Sequence, residues 1–187
     1  MASVFDGIDA DLQQWIEQQH LFFVATAPLS AAGHVNCSPK GMDTFRVLGP
    51  RDVAYVDLTG SGIETVAHLR ENGRIVFMFC AFDGLPKIVR LHGTGTVHEP
   101  GSPEFERLKD RFPSYPSGRA IVSASITRVS DSCGYAVPRM DHVADRDTLM
   151  KWADRKGAVG LIEYRAEKNA ASLDGLQALA PRAVRRT

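Results

Sequence analysis

The sequence predicts a mainly β, α+β fold: a closed or half-closed antiparallel barrel with helices at its periphery. From Leu21 onward, short β-type runs at 21–26, 34–38, 44–48 and 53–58 follow one another, with Ala32-Gly33 and Gly49-Pro50 as turns between them. The intervals are too short for the crossover that a parallel pair requires. Single helical stretches interrupt the series without alternating with it, which favours a barrel over a doubly wound sheet.

Before the first strand, Asp9 is placed to cap a helix in which Leu12, Trp15, Ile16 and Gln19 share a face, and this helix is expected to lie as a lid. After the four strands, Ser61-Gly62-Ile63-Glu64 reads as a capping box. Ile63, Val66, Ala67 and Leu69 form the apolar face behind it, and Asn72-Gly73 is the stop. Two longer strands, 74–81 and 87–98, are joined by Asp83-Gly84-Leu85-Pro86. Ser102-Pro103 opens a helix with Phe105, Leu108 and Phe112 on one side. Residues 121–129 alternate apolar with polar, as a half-buried strand does. A last helix, capped by Asp145 and carrying Leu149, Trp152 and Ala153, is expected to end at Gly157. Residues 1–165 are expected to form one domain. From 166 to 187, weak periodicity and Arg182, Arg185 and Arg186 suggest an extended or partly disordered tail.

The 187 residues balance 22 Lys and Arg against 22 Asp and Glu, so no general field draws nucleic acid or anionic lipid, and any anion must be held by local donors. No apolar run is long enough to span a bilayer. Three well-separated cysteines, Cys37, Cys80 and Cys133, fit a reduced, cytoplasmic protein, and the ordinary expectation for each is a small buried hydrophobe. The six histidines show no metal-ligand spacing. No Gly-x-Ser-x-Gly elbow is present and Asp43 and Asp57 lack an evident partner carboxylate, so acyl transfer and glycoside hydrolysis find no support.

The chemistry concentrates in Val35-Asn36-Cys37-Ser38-Pro39-Lys40-Gly41 and in the stretch from Tyr55 to Gly62 that opens into a helix. Helix-start amides, the Thr59 and Ser61 hydroxyls, and close approach at Gly60 and Gly62 make a seat for a phosphate, with Lys40 as the cation. The same residues also read as a plain turn, with Ser61 capping against Glu64. The spacing is not that of a P-loop. Arg90, in an otherwise apolar strand, calls for an anion or a structural ion pair.

These residues resemble the pyridoxamine-phosphate-oxidase-like flavin-binding split barrels. The likeness covers residues 21 to about 129: the run ending in Lys40-Gly41, the Thr59-Gly60-Ser61 approach to a helix, the Asn72-Gly73 stop, the apolar strand 75–82 and Val89-Arg90-Leu91-His92-Gly93. The resemblance implies a Greek-key split barrel, a homodimer with FMN at the subunit interface, and cofactor contacts from Ser38, Lys40, Thr59, Gly60, Ser61, Gly62, Thr65 and Arg90. Phe79, Phe82 and Tyr115 are expected to help cover the flavin.

Departures from the family oxidase bear on substrate. Val35 stands where the oxidase has an arginine, Gly62-Ile63 where it has Arg-Lys, and Ile88 where it has a glutamine, and the C-terminal Arg and His that hold pyridoxal phosphate find no match. Ser132-Cys133-Gly134-Tyr135, followed by Val137-Pro138, is similar to a set of related flavoproteins of undetermined substrate, with Cys133 and Tyr135 placed to line a site. The expectation is a flavoprotein oxidoreductase passing electrons from a reduced nicotinamide or small reductant through FMN, with a small-molecule substrate, no metal, and no catalytic residue that can be named. Two alternatives stay open: a flavin- or haem-binding carrier or sensor, and a deazaflavin-dependent reductase.

Overall fold

A computed structural model describes residues 3–180. Its elements in chain order are β1 (Val4–Phe5), α1 (Ala10–Glu17), β2 (Leu21–Thr26), β3 (Asn36–Gly41), β4 (Phe45–Gly49), β5 (Asp52–Leu58), α2 (Glu64–Asn72), β6 (Arg74–Cys80), β7 (Ile88–His98), α3 (Pro103–Leu108), β8 (Gly118–Ser132) and α4 (Thr148–Lys168). Every strand pairing is antiparallel, in the order β3-β2-β6-β7-β8-β5-β4, with β1 added to β8. The meander β6-β7-β8 returns to lie beside β5 after the long connection through α2, which is a Greek-key arrangement. β3 and β4 end the sheet. The rings of Phe22 on β2 and Phe45 on β4 nevertheless meet at 5.1 Å, so the sheet curls into a split barrel.

Alternation along the strands builds the interior. Phe22, Val24, Val53, Tyr55, Phe77, Phe79, Val89, Leu91 and Val122 point inward and are almost wholly buried. Each such side chain contributes about 1.5–3 kcal/mol on leaving water. α1 closes one end as a lid: Asp9 accepts the Leu12 amide at 2.8 Å, and Leu12 and Ile16 enter the core. On the outer face, Ala54, Val56 and Ile121 receive Leu108 and Phe112 from α3 and the 3₁₀ turn that follows it.

Gly93 shows why the Val-Arg-x-x-Gly strand requires its glycine. The register slips there, pairing His92 with Arg128 but Gly93 with Ile126, and a Cβ would stand 2.2 Å from the Ser125 carbonyl oxygen.

Several expectations are corrected. α2 begins at Glu64 with Ile63 in the cap position and no side-chain cap, so the Ser61 capping box does not form. The Asn72-Gly73 stop does form, with Gly73 at φ 72°. The last helix is not capped by Asp145, which instead accepts from His142; Asp147 holds the cap position, but its carboxylate pairs with Lys151 and caps no amide. Gly157, at φ 65° and ψ 175°, breaks this helix, but a second helical stretch resumes and runs to Lys168. The segment expected to be a tail therefore begins inside a helix. Residues 169–180 then fold back, with Leu176, Ala178 and Leu179 against Ile63, Val66 and Ala67 of the α2 region. Arg182, Arg185 and Arg186 lie outside the described residues. No described helix is long and apolar enough to cross a membrane.

Candidate functional site: a polar seam beside the split

Cross-strand partners share a face of a sheet, so the pairings of Ser38 with Val24 and Lys40 with Phe22 turn both polar side chains toward the barrel interior. β5 supplies Tyr55 and Asp57 to the same face. The Lys40 ammonium lies 2.9 Å from Asp57 Oδ1, closing the gap between β3 and β5 by an ion pair. Arg119 meets the other carboxylate oxygen through Nε at 2.7 Å. A bulge aims it there: Asp57 pairs with Ala120 and Leu58 with Gly118, leaving Arg119 as the extra residue.

Asp57 is fully buried. Burial by itself would raise its carboxyl, but Lys40 and Arg119 outweigh that effect and bring it down to about 2. Two cations thus share one buried carboxylate.

Arg119 also reaches the turn before α2. Its guanidinium contacts the Gly60 carbonyl (3.3 Å) and the Asn169 side-chain oxygen (3.0 Å). Asn169, fully buried, donates to the Gly60 carbonyl at 3.0 Å and makes a longer contact to that of Ser61 at 3.5 Å. Arg165 donates through Nε to the Thr59 hydroxyl at 2.8 Å and through Nη2 to the Gly118 carbonyl at 3.1 Å. Thr59 is tied through its amide and hydroxyl to the Ser117 carbonyl, both at 2.7 Å. These bonds draw the turn away from a capping position, which is why Ser61 does not cap α2.

A second polar string fills the adjoining interior. The Ser38 hydroxyl donates to Asn36 (3.0 Å), whose amide donates to Thr65 (2.9 Å) and Thr26 (3.2 Å), and Thr26 meets His68 Nδ1 at 2.9 Å. The Tyr55 hydroxyl is buried, and burial holds its proton well above the usual phenol range.

Ser38, Lys40, Thr59, Gly60, Ser61, Gly62 and Thr65 are therefore gathered around one seam. Arg90 is not. Its neighbours Val89 and Leu91 point inward, so Arg90 faces outward and donates to the Ser132 hydroxyl at 3.0 Å. Phe79 is 1% exposed inside the barrel and cannot cover a ligand, whereas Phe82 and Tyr115 are half-buried. Cys37 and Cys133 are exposed, not buried as expected; Cys80 is buried. Tyr135 is 82% exposed beside an open groove that also meets Trp15, Lys87, Cys133 and Met140. Among the described residues, no three His, Cys, Asp or Glu side chains come together as metal ligands.

Sequence reasoning missed Asp57, Arg119, Arg165 and Asn169. A signal existed for two of them, since Asp57 directly follows the apolar run Val53-Ala54-Tyr55-Val56 and Arg119 directly precedes Ala120-Ile121-Val122. Asn169 and Arg165 had none, because their role depends on how α4 docks.

Known proteins agree with this architecture. A tagged HupZ protein of Group A Streptococcus superposes with a TM-score of 0.50 at 22% identity, covering 65% of this chain and 91% of that one. A Lactobacillus delbrueckii structure provisionally assigned as a pyridoxamine 5'-phosphate oxidase does so with a TM-score of 0.50 at 18% identity, covering 67% and 94%. In sequence, the chain is 41% identical over 196 residues to the pyridoxamine 5'-phosphate oxidase family protein ustO of Aspergillus flavus, covering 96% of this chain and 78% of that protein. The profile of the pyridoxamine 5'-phosphate oxidase family matches residues 8–133, which include β2 to β8 and most of the seam; on these grounds the chain belongs to that family.

Proposed function

We propose that the protein is an FMN-binding flavoprotein of this family, working as an oxidoreductase on a small molecule other than pyridoxamine 5'-phosphate. The observation that carries the reading is the charge at the seam, where Lys40 and Arg119 face a single buried carboxylate and leave one positive charge for an outside anion. The donor set fits a phosphate. Lys40 has three N–H donors and uses one on Asp57, and the Ser61 and Gly62 amides at the start of α2 have no acceptor among the described residues. When bound, FMN supplies the hydride and electron chemistry. Lys40 and the 61–62 amides would hold its phosphate, while Thr59 and Thr65 shape the turn. The substrate part of the proposal rests on Val35, Gly62, Ile63 and Ile88, which stand where the family oxidase carries polar or charged groups.

Titration of the apo-protein with FMN, followed by flavin fluorescence, tests the cofactor. Lys40→Ala is expected to weaken binding by about 1–3 kcal/mol, the loss of a charge-assisted hydrogen bond, while Asp57 keeps Arg119. Anaerobic NADPH or NADH should bleach the flavin band, and pyridoxamine 5'-phosphate should give no product with oxygen. Bound flavin that neither nicotinamide reduces would favour a carrier or sensor instead.

A further inference from the structure

The family profile ends at residue 133, yet the seam is completed from beyond it. After the break at Gly157, the second stretch of α4 and residues 169–180 wrap the start of α2. Arg165 and Asn169 reach the 59–61 turn, the Glu64 carboxylate accepts the Leu173 amide at 3.3 Å, and Asp174 holds the amide and ring of His34. All the bonds from Asn169 to the turn end on carbonyl oxygens. In a trans peptide the C=O and the following N–H point in opposite directions, and no cis peptide bond occurs in the described chain. Pulling the Gly60 and Ser61 carbonyls inward therefore turns the Ser61 and Gly62 N–H groups outward, and neither amide finds an acceptor among the described residues. Both residues are exposed.

We infer that Arg165 and Asn169 are positioning residues: together they hold the 59–61 turn by its acceptor side, so that the Ser61 and Gly62 amides face a phosphate monoester. The inference rests on the flavin reading and assigns the C-terminal segment a part in it. Neither side chain touches the phosphate. Arg119 links this support to the charged pair, because the same guanidinium holds Asp57, Asn169 and the Gly60 carbonyl.

The test compares FMN with riboflavin, which lacks the phosphate, on the full chain by fluorescence titration. Asn169→Ala and Arg165→Ala are expected to weaken FMN binding about tenfold, the scale of one charge-assisted hydrogen bond, and to leave riboflavin binding unchanged. Hydrogen exchange at the Ser61 and Gly62 amides should become faster when FMN is added to the variants than when it is added to the parent. Arg165→Lys, which keeps a donor and the charge, should recover part of the loss and guards against a failure of Asn169→Ala to fold. Equal losses for FMN and riboflavin would mean a merely structural role and overturn the inference. So would equal affinity of the parent for both ligands, although the flavin reading would then stand. A parent protein that binds neither ligand would overturn both.

Discussion

Asp57 is the residue on which the site turns. A carboxylate with no exposure survives inside a barrel because Lys40 and Arg119 occupy both of its oxygens. Its folded value of about 2 lies below the ordinary 3.8, so the stabilisation it gives is complete above about pH 4 and is lost as pH falls toward 2. The shift corresponds to roughly 2 kcal/mol. Acid unfolding followed by circular dichroism should show this dependence, and Asp57→Asn should abolish it. The same variant leaves two cations without their counter-charge, so at pH 7 it is expected to lose about 3–5 kcal/mol in chemical denaturation. A loss within about 0.5 kcal/mol, the range of ordinary surface changes, would mean that the pair contributes little.

Among the elements, α2 joins stability to binding through Glu64. An acid in the first turn favours the helix dipole by about 0.3–1 kcal/mol. Here its carboxylate also lies so near Gly62 that a Cβ added there would be 2.6 Å from Oε2. It therefore repels an anion approaching the 61–62 amides. Glu64→Gln should lower the melting temperature slightly and tighten FMN binding by a few-fold, and weaker FMN binding would place the phosphate elsewhere. In the sheet, Gly93→Ala tests the bulge between β7 and β8. Overpacking against the Ser125 carbonyl should lower stability by about 1–3 kcal/mol, read by thermal melting, with no change in the ratio of FMN to riboflavin affinity.

At the scale of the whole molecule, the open groove beside the lid leaves Leu85 87% exposed, Tyr135 82% and Met140 49%, around a cavity lined also by Trp15 and Phe82. Apolar side chains gathered on one face mark an interaction surface. The prediction is a homodimer burying more than about 2,000 Å², the range of obligate interfaces. Light scattering at micromolar concentration checks it; a monomer that still binds flavin would sink it.

The strands from Leu21 onward and the Asp9 cap were legible because alternation and capping act over a few residues, and the chain carries those signals locally. Asn72-Gly73 was legible for the same reason: a left-handed residue ends a helix wherever it falls. Lys40 and the 59–62 turn were paired from their chemistry, a cation beside helix-start donors, and the resemblance pointed to the same residues. The Ser61 cap was misread because local spacing cannot register Asn169, more than a hundred residues away, competing for the same turn. That Arg90 faces away from Lys40 was not legible, because strand sequence does not say which face of a curled sheet meets which. What the sequence alone determined was the set of antiparallel elements and the polar residues around one helix start. Tertiary structure alone decided that Asp57 and Arg119 share a carboxylate with Lys40 and that α4 docks on the turn, because both depend on register, on one bulged residue and on the close approach of segments distant in the chain.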